Sequence, residues 1–488
     1  MRRKRRVLNI VLLALIVLWG SLLTLLVKRE RPPSSEPRKA DSGLGKRERG
    51  EEWMGVYLND KKVGWVVSLT DELEDGYRIV ERSSLRLKVM GAEQTVRTLI
   101  ECHADTTYGL RSLWFQFSSG EHALEVRGEM EASHFKYELS SGGKVSKSEL
   151  VVSEGVYIPV SIEAIASKMG LVEGRGDSFD IFEPTTCSLT RVKVTVEGEE
   201  ELLVGGRSHK ARRVVVSFLG TRSTVWLDQD GSVLKEESPL GLTMIRETRE
   251  EATRGGAPSE AVEVLTMYSV PSNVEIADPR EVRELRVRLV GPQFGRLELT
   301  DERQKLSGDT LSVSALIPSS KRVRGADPGS FAEDLNPTPL IQSDDRKIRA
   351  LVDSVLSPEE PVWSKVTELV AWVYHNVEKR PTMSIPSAVE VLEHRMGDCN
   401  EHAVLFTALA RASGIPARLC GGLVCLNGEF YYHAWSKVWV GEWVAVDPTF
   451  GQSVADATHL KLTEGGMEDL LDLVGVIGKL KIEVLEYR

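Results

Sequence analysis

Gly397-Asp398-Cys399-Asn400-Glu401-His402 sets a cysteine directly after an aspartate that is followed three residues later by a glutamate. That is capping-box spacing, with Asp398 as the N-cap and Cys399 as the first helical residue. A thiol placed there meets unpaired backbone N–H groups and the positive end of the helix dipole, an environment that favours the nucleophilic thiolate. A thiolate that attacks an acyl carbon needs a base, and the base needs an orienting group. Tyr431-Tyr432-His433-Ala434-Trp435 offers a strand histidine, and Trp443-Val444-Ala445-Val446-Asp447-Pro448-Thr449 an aspartate at the end of the next strand. Singly, each has a blander reading: a buried structural cysteine, a strand histidine, an aspartate opening a turn before proline. In this order they describe cysteine acyl transfer, with Cys399, His433 and Asp447 as the catalytic residues. His402 shares a helix face with Cys399 and is a rival partner. Read as metal ligands, Cys399 and His402 lack a companion pair at zinc spacing, so His402 is expected to pack or support the helix. No metal and no other cofactor is expected.

These residues need particular elements under them. Helical periodicity begins near Asp344: Ile348, Leu351, Val352 and Val355 share one face, and Val366, Leu369, Val370, Val373 and Val377 another. Ser387 to Glu390 has capping-box spacing and opens a short helix. The helix from Cys399 stops at Gly414 and Pro416. Strands follow over Ala417–Leu426, Phe430–Val440 and Trp443–Asp447, with Asn427-Gly428 as a turn. The last hairpin carries a geometric condition. A two-residue loop at Gly441-Glu442 puts His433 and Asp447 on opposite faces, because side chains alternate along a strand. A three-residue loop, Val440-Gly441-Glu442, or a bulge sets Trp435 opposite Asp447 and returns Asp447 to the face of His433.

The segments Gly397-Asp398-Cys399, Ala408-Leu409-Ala410-Arg411-Ala412-Ser413-Gly414-Ile415-Pro416-Ala417-Arg418, His433-Ala434-Trp435 and Asp447-Pro448-Thr449 resemble the core of transglutaminase-like proteins over roughly residues 340–465. The resemblance implies a papain-like α+β core with a Cys-His-Asp triad acting on protein or peptide amides through a thioester. Asn400 stands where animal-type transglutaminases commonly have Trp. Trp372 is one candidate for the side-chain oxyanion donor. Other readings on the same residues are a cysteine peptidase or amidase, and an inactive binding module.

The rest of the chain is read from patterning. Residues 51–252 alternate in hydropathy with turn signals and are expected to form a large antiparallel β-rich domain, with one helical interruption at Val160–Met169. Residues 253–340 form a β-rich linking region and 341–488 the transglutaminase-like domain. At the start, Arg2, Arg3, Lys4, Arg5 and Arg6 make a basic tail (1–6), and Val7–Val27 is free of charge. As a helix the run measures about 32 Å at about 1.5 Å per residue, near a bilayer's hydrocarbon thickness. The expectation is an uncleaved transmembrane helix at 7–27, a tether at 28–50, a cytoplasmic N-terminus, and a body facing the periplasm or exterior from the inner membrane. The expected fold class is therefore α+β with an N-terminal transmembrane helix.

The first 49 residues carry a net charge of +9, so the remainder carries −19. An acidic body argues against a nucleic-acid partner, which requires basic patches. The five cysteines, Cys102, Cys187, Cys399, Cys420 and Cys425, are odd in number and form no dense framework, so buried free thiols are expected.

Overall fold

The computed structural model describes residues 51–488 except 90–91, 153–154, 163–164, 166–172, 219–220, 239–240, 255–261, 264–268, 292–296, 298 and 319–327. The basic tail, the run Val7–Val27, the tether and most of the expected helix at 160–169 lie outside the described residues.

The first half is one sheet, antiparallel but for two short parallel pairings, built from two meanders. Strands β1 (Glu52–Leu58), β2 (Lys61–Leu73), β3 (Gly76–Val89), β4 (Ala92–Asp105), β5 (Leu110–Ser119), β6 (His122–Glu131), β7 (His134–Ser141) and β8 (Lys144–Val151) follow one another in space as in sequence. The second meander runs from β9 (Val156–Tyr157) through β10 (Gly176–Glu183), β11 (Ser188–Val204), β12 (Arg207–Phe218), β13 (Thr221–Leu227) and β14 (Val233–Glu237) to β15 (Leu242–Arg246). The two join where β1 pairs antiparallel with β15, and β16 (Val262–Glu263) adds a short parallel pairing to β3. Alternation explains the long strands: Leu124, Val126, Phe135, Tyr137 and Leu139 point to the core while the residues between them face out.

The core begins at helix α1 (Arg346–Val355), capped by Asp345, and continues through α2 (Val362–Asn376), α3 (Ala388–His394) and α4 (Cys399–Ala412). Every residue of α4 from Glu401 to Arg411 is buried, the pattern of a helix enclosed on all sides. Its neighbours include a sheet of β17 (Val270–Pro271), β23 (Ala417–Leu426), β24 (Glu429–Trp439), β25 (Trp443–Val446) and β26 (Leu460–Gly465). A third sheet, β18 (Glu284–Val290), β19 (Gln304–Ser307), β20 (Thr310–Ser314) and β27 (Lys481–Tyr487), brings the last strand back to the linking segment. The pair β21 (Glu378–Lys379) and β22 (Met396–Gly397) lies just before α4.

The linking segment grips the core through a buried ionic cluster. Lys437 Nζ lies 3.1 Å from Asp301, 2.9 Å from Glu302 and 3.0 Å from Glu464, and Lys461 Nζ 3.1 Å from Asp301 and 2.7 Å from Glu464. Arg303 donates to the carbonyls of His459 and Asp456. Such a cluster fixes which surfaces meet more than it stabilises the chain, because desolvating each ion offsets the attraction.

The fold class expected from sequence does not hold. Strands take 52% of the described residues and helices 19%, so the molecule is mostly β. The strands of the two meanders outweigh the helical segment that starts at α1. Among the described residues no helix is long and apolar enough to cross a membrane, so the expected single-pass location and transmembrane helix have no support there.

Gly421 and Gly422 show why β23 is smooth beneath the last hairpin. A Cβ on Gly422 would meet the Leu460 carbonyl oxygen at 2.0 Å and the Trp435 ring at 2.9 Å. Gly422→Ala must push β23 from β26 and should cost about 1–3 kcal/mol in a urea unfolding measurement.

Candidate active site

Helix α4 starts as its sequence requires. Asp398 Oδ1 accepts from the Asn400 amide at 2.9 Å, and Glu401 Oε2 accepts from the Asp398 amide at 2.8 Å, a complete capping box. Ser384 Oγ donates to the other Glu401 oxygen. Gly397 lets Glu401 pass over it, since a Cβ there would lie 2.3 Å from Glu401 Cβ and Cγ. His402 donates from Nδ1 to the Asp398 carbonyl at 2.6 Å and is buried, a supporting bond for the first turn. Trp372, on α2, packs its ring beside the Arg395 guanidinium at 5.6 Å.

α4 is pinned to β24 through Ser436, whose Oγ lies 3.0 Å from Thr407 Oγ1 and donates to the Ala403 carbonyl at 3.3 Å. The pinning carries the start of the helix to the middle of the strand. There the backbone at Ala434, next in sequence to His433, comes near enough to Cys399 to favour its thiolate.

The β24–β25 hairpin has the register that His433 and Asp447 need. Trp439 pairs with Trp443 and Ser436 with Val446, so the loop is the three residues Val440-Gly441-Glu442. His433 and Asp447 come to the same face, and His433 Nε2 lies 2.8 Å from Asp447 Oδ2. Phe450 stacks on the His433 ring at 5.0 Å and 21°.

Asp447 is fully buried and its carboxylate is saturated. Oδ1 accepts from the Thr449 and Phe450 amides at 2.7 and 3.1 Å, while Oδ2 accepts from His433 and from His459 Nε2 at 2.9 Å. His459 Nδ1 sits 3.4 Å from Asp456 Oδ2, which pairs with Arg280 at 2.9 Å. The Arg280 guanidinium also lies 4.6 Å over the Phe450 ring. Sequence reading missed His459, Asp456 and Arg280. The run Asp456-Ala457-Thr458-His459, polar side chains just before an apolar strand, is the one local signal for the first two; Arg280 comes from a distant loop and has none.

The electrostatics differ from those expected at a helix start. Burial, with the carboxyls of Asp398 and Glu401 beside it, pushes the Cys399 thiol well above its ordinary range, though the Ala434 amide opposes this. Burial likewise lowers His433 below its ordinary value, and the charge on His459 and Arg280 adds to this against the pull of Asp447. Asp447 is held far below the usual carboxylate range by its two histidines despite its burial. Both shifts favour a neutral thiol and a neutral imidazole at rest. An ionised carboxylate only accepts, so His433 carries its proton on Nε2 and leaves the Nδ1 lone pair free. His433, Asp447 and His459 also bring three possible ligand atoms within 4.8 Å. Hydrogen bonds already satisfy every Asp447 site at ordinary distances, so this group needs no metal.

All five cysteines are free; Cys399 is half-buried and the other four are buried.

Residues 349–448 match the family model described as the transglutaminase-like superfamily core. No curated protein matches the chain. Among solved structures, a candidate cysteine protease from Cytophaga hutchinsonii is 20% identical, with 42% of this chain and 87% of that one covered at a TM-score of 0.28. A beta-barrel-like protein of a domain of unknown function from Brucella abortus is 11% identical, with 40% and 94% covered at 0.32. A protein of another such family from Pseudomonas aeruginosa is 12% identical, with 41% and 95% covered at 0.22.

His459 yields a pH signature. Burial lowers its pKa, but Asp456 and Asp447 outweigh that and raise it above the ordinary histidine value. A raised folded-state pKa contributes stability that is present below about pH 6.5 and fades as pH climbs through the folded value. His459→Gln should therefore destabilise the protein more at about pH 6 than at about pH 9 in parallel urea titrations. An equal loss at both values would mean that His459 is neutral.

Proposed function

We propose that this transglutaminase-like superfamily protein is a thiol acyl-transfer enzyme acting on protein or peptide amides, with Cys399 as nucleophile, His433 as base and Asp447 as orienting group. The observation that carries the reading is the hydrogen bond of His433 Nε2 to the buried Asp447, which leaves Nδ1 as the proton acceptor on a strand pinned through Ser436 to the helix that Cys399 starts.

The reaction follows from the neutral resting pair. His433 Nδ1 takes the Cys399 proton as the sulfur attacks the amide carbon, so no ion pair need stand before substrate arrives. Negative charge gathers on the carbonyl oxygen, and the Cys399 backbone N–H at the head of α4 is one donor for it. The imidazolium, held by Asp447, gives its proton to the leaving nitrogen; the C–N bond breaks and a thioester remains on Cys399. An amine or a water then attacks the thioester, His433 removes its proton, and the C–S bond breaks to return the thiol. Amine gives a new amide, water gives an acid, and the same residues serve both.

Cys399→Ala and His433→Ala should each lower the rate on a glutamine-containing peptide by roughly 10⁴-fold or more, as for members of a catalytic unit. Asp447→Asn should also be severe, because an amide presents a donor where His433 needs an acceptor. Ammonia release with and without a fluorescent primary amine separates transfer from hydrolysis. Full activity in Cys399→Ala would end the proposal.

A further inference from the structure

A second cluster of titratable side chains lies where the first meander meets the core. Ser387 caps α3 by accepting from the Glu390 amide, but Glu390 does not return the contact. Its carboxylate is turned outward from the helix. Oε1 lies 3.1 Å from His122 Nδ1, at the start of β6, and Oε2 accepts from Ser141 Oγ, at the end of β7, at 2.7 Å. One turn along α3, His394 brings its own Nδ1 to 4.0 Å from the same Oε1. The two imidazole rings stand 5.6 Å apart at 67°. His122 and Glu390 are buried and His394 is partly exposed.

One atom in this cluster is unaccounted for. His394 Nδ1 is buried and makes no hydrogen bond. A proton shared by His122 and Glu390 satisfies those two groups and still leaves this nitrogen bare, at the free-energy cost of an unpaired buried polar atom. The active-site cluster is different, because there hydrogen bonds satisfy every oxygen of the carboxylate.

We propose that His122 Nδ1, Glu390 Oε1 and His394 Nδ1 form a binding site for a divalent transition metal of the zinc type. Two imidazole nitrogens and one carboxylate oxygen are the donors such an ion takes, and the three ligand atoms lie within 4.8 Å of one another. Tetrahedral bonds of about 2.0–2.2 Å hold neighbouring donors roughly 3.4 Å apart. The observed 3.1 and 4.0 Å bracket that value, so small side-chain movements close the site. Ser141 holds the second carboxylate oxygen and fixes the plane of the ligand, as outer partners of metal ligands do. Three protein ligands leave a fourth position, on the side where His394 meets solvent, for water or another small donor. The ion would join the β5–β6 turn to α3, the helix that leads through Arg395 and Gly397 to Cys399. None of its ligands takes part in the acyl-transfer proposal, so either can fail alone.

The test uses purified full chain, stripped with a chelator and titrated with Co²⁺ followed by visible absorption, and with Zn²⁺ by calorimetry. One equivalent should bind each ion, with d–d bands of a four- or five-coordinate site and a raised Tm. Glu390→Gln and His394→Ala should lose that equivalent, and Ser141→Ala should weaken it by about 10-fold or more. His459→Gln should keep it, which separates this cluster from the one at Asp447. Circular dichroism checks folding, and His394→Ala, at a partly exposed position, carries the test if Glu390→Gln does not fold. No stoichiometric binding by the wild-type chain, or an equivalent retained by His394→Ala, would overturn the proposal.

Discussion

The arrangement around Cys399 depends on one buried carboxylate. Asp447 has no contact with solvent, so every acceptor site on it must be filled from within the protein. Its four donors come from three places: the turn that follows it, the strand before it, and the loop ahead of β26. That demand sets the hairpin register, holds Phe450 over the His433 ring and draws His459 inward. Asp456 and Asp447 favour the charged form of His459, and Arg280 pairs with Asp456. Burial first, and then His459 and Arg280, hold His433 below its ordinary pKa.

A neutral histidine beside a raised thiol is a different starting point from a thiolate stabilised by a helix dipole. The dipole acts on Cys399, but Asp398 and Glu401, which complete the cap, place their carboxyls at the same end of α4. The capping box that builds the helix opposes ionisation of the residue it presents. In the proposed reaction the helix start would supply direction and donors for the developing oxyanion, and burial a low dielectric in which those donors count for more.

Features set by neighbours in sequence were legible before the structure. The capping box at Asp398 and the Asn427-Gly428 turn, with both residues at positive φ, follow from local rules, while the three-residue loop at Val440-Gly441-Glu442 is one of the two arrangements, loop or bulge, that a shared face for His433 and Asp447 requires. The pairing of His433 with Asp447 was readable because strand periods fix which side chains can face one another. What failed depended on distant partners. Ser387 and Glu390 have the spacing of a box, yet the Glu390 carboxylate goes to His122 and Ser141, on strands far earlier in the chain. Arg280 reaches Asp456 from the linking segment for reasons no window around either residue contains. The balance of strand over helix was misjudged because a class label was drawn from the region around Cys399, whereas the two meanders set the average.

Those meanders have a kinetic consequence. From β1 to β8, and from β10 to β15, each strand pairs with its neighbour in sequence, so each half can zip from its own turns with short loop closures. Among the described residues, the pairing of β1 with β15, and the two-residue pairing of β16 with β3, require distant parts of the segment to find one another. Contacts between distant residues form late because chain entropy must be lost before they contribute. The sheet is thus two self-templating ladders and one slow joint, and a hydrogen-exchange experiment on the refolding chain would see protection spread through both ladders before it crosses the seam.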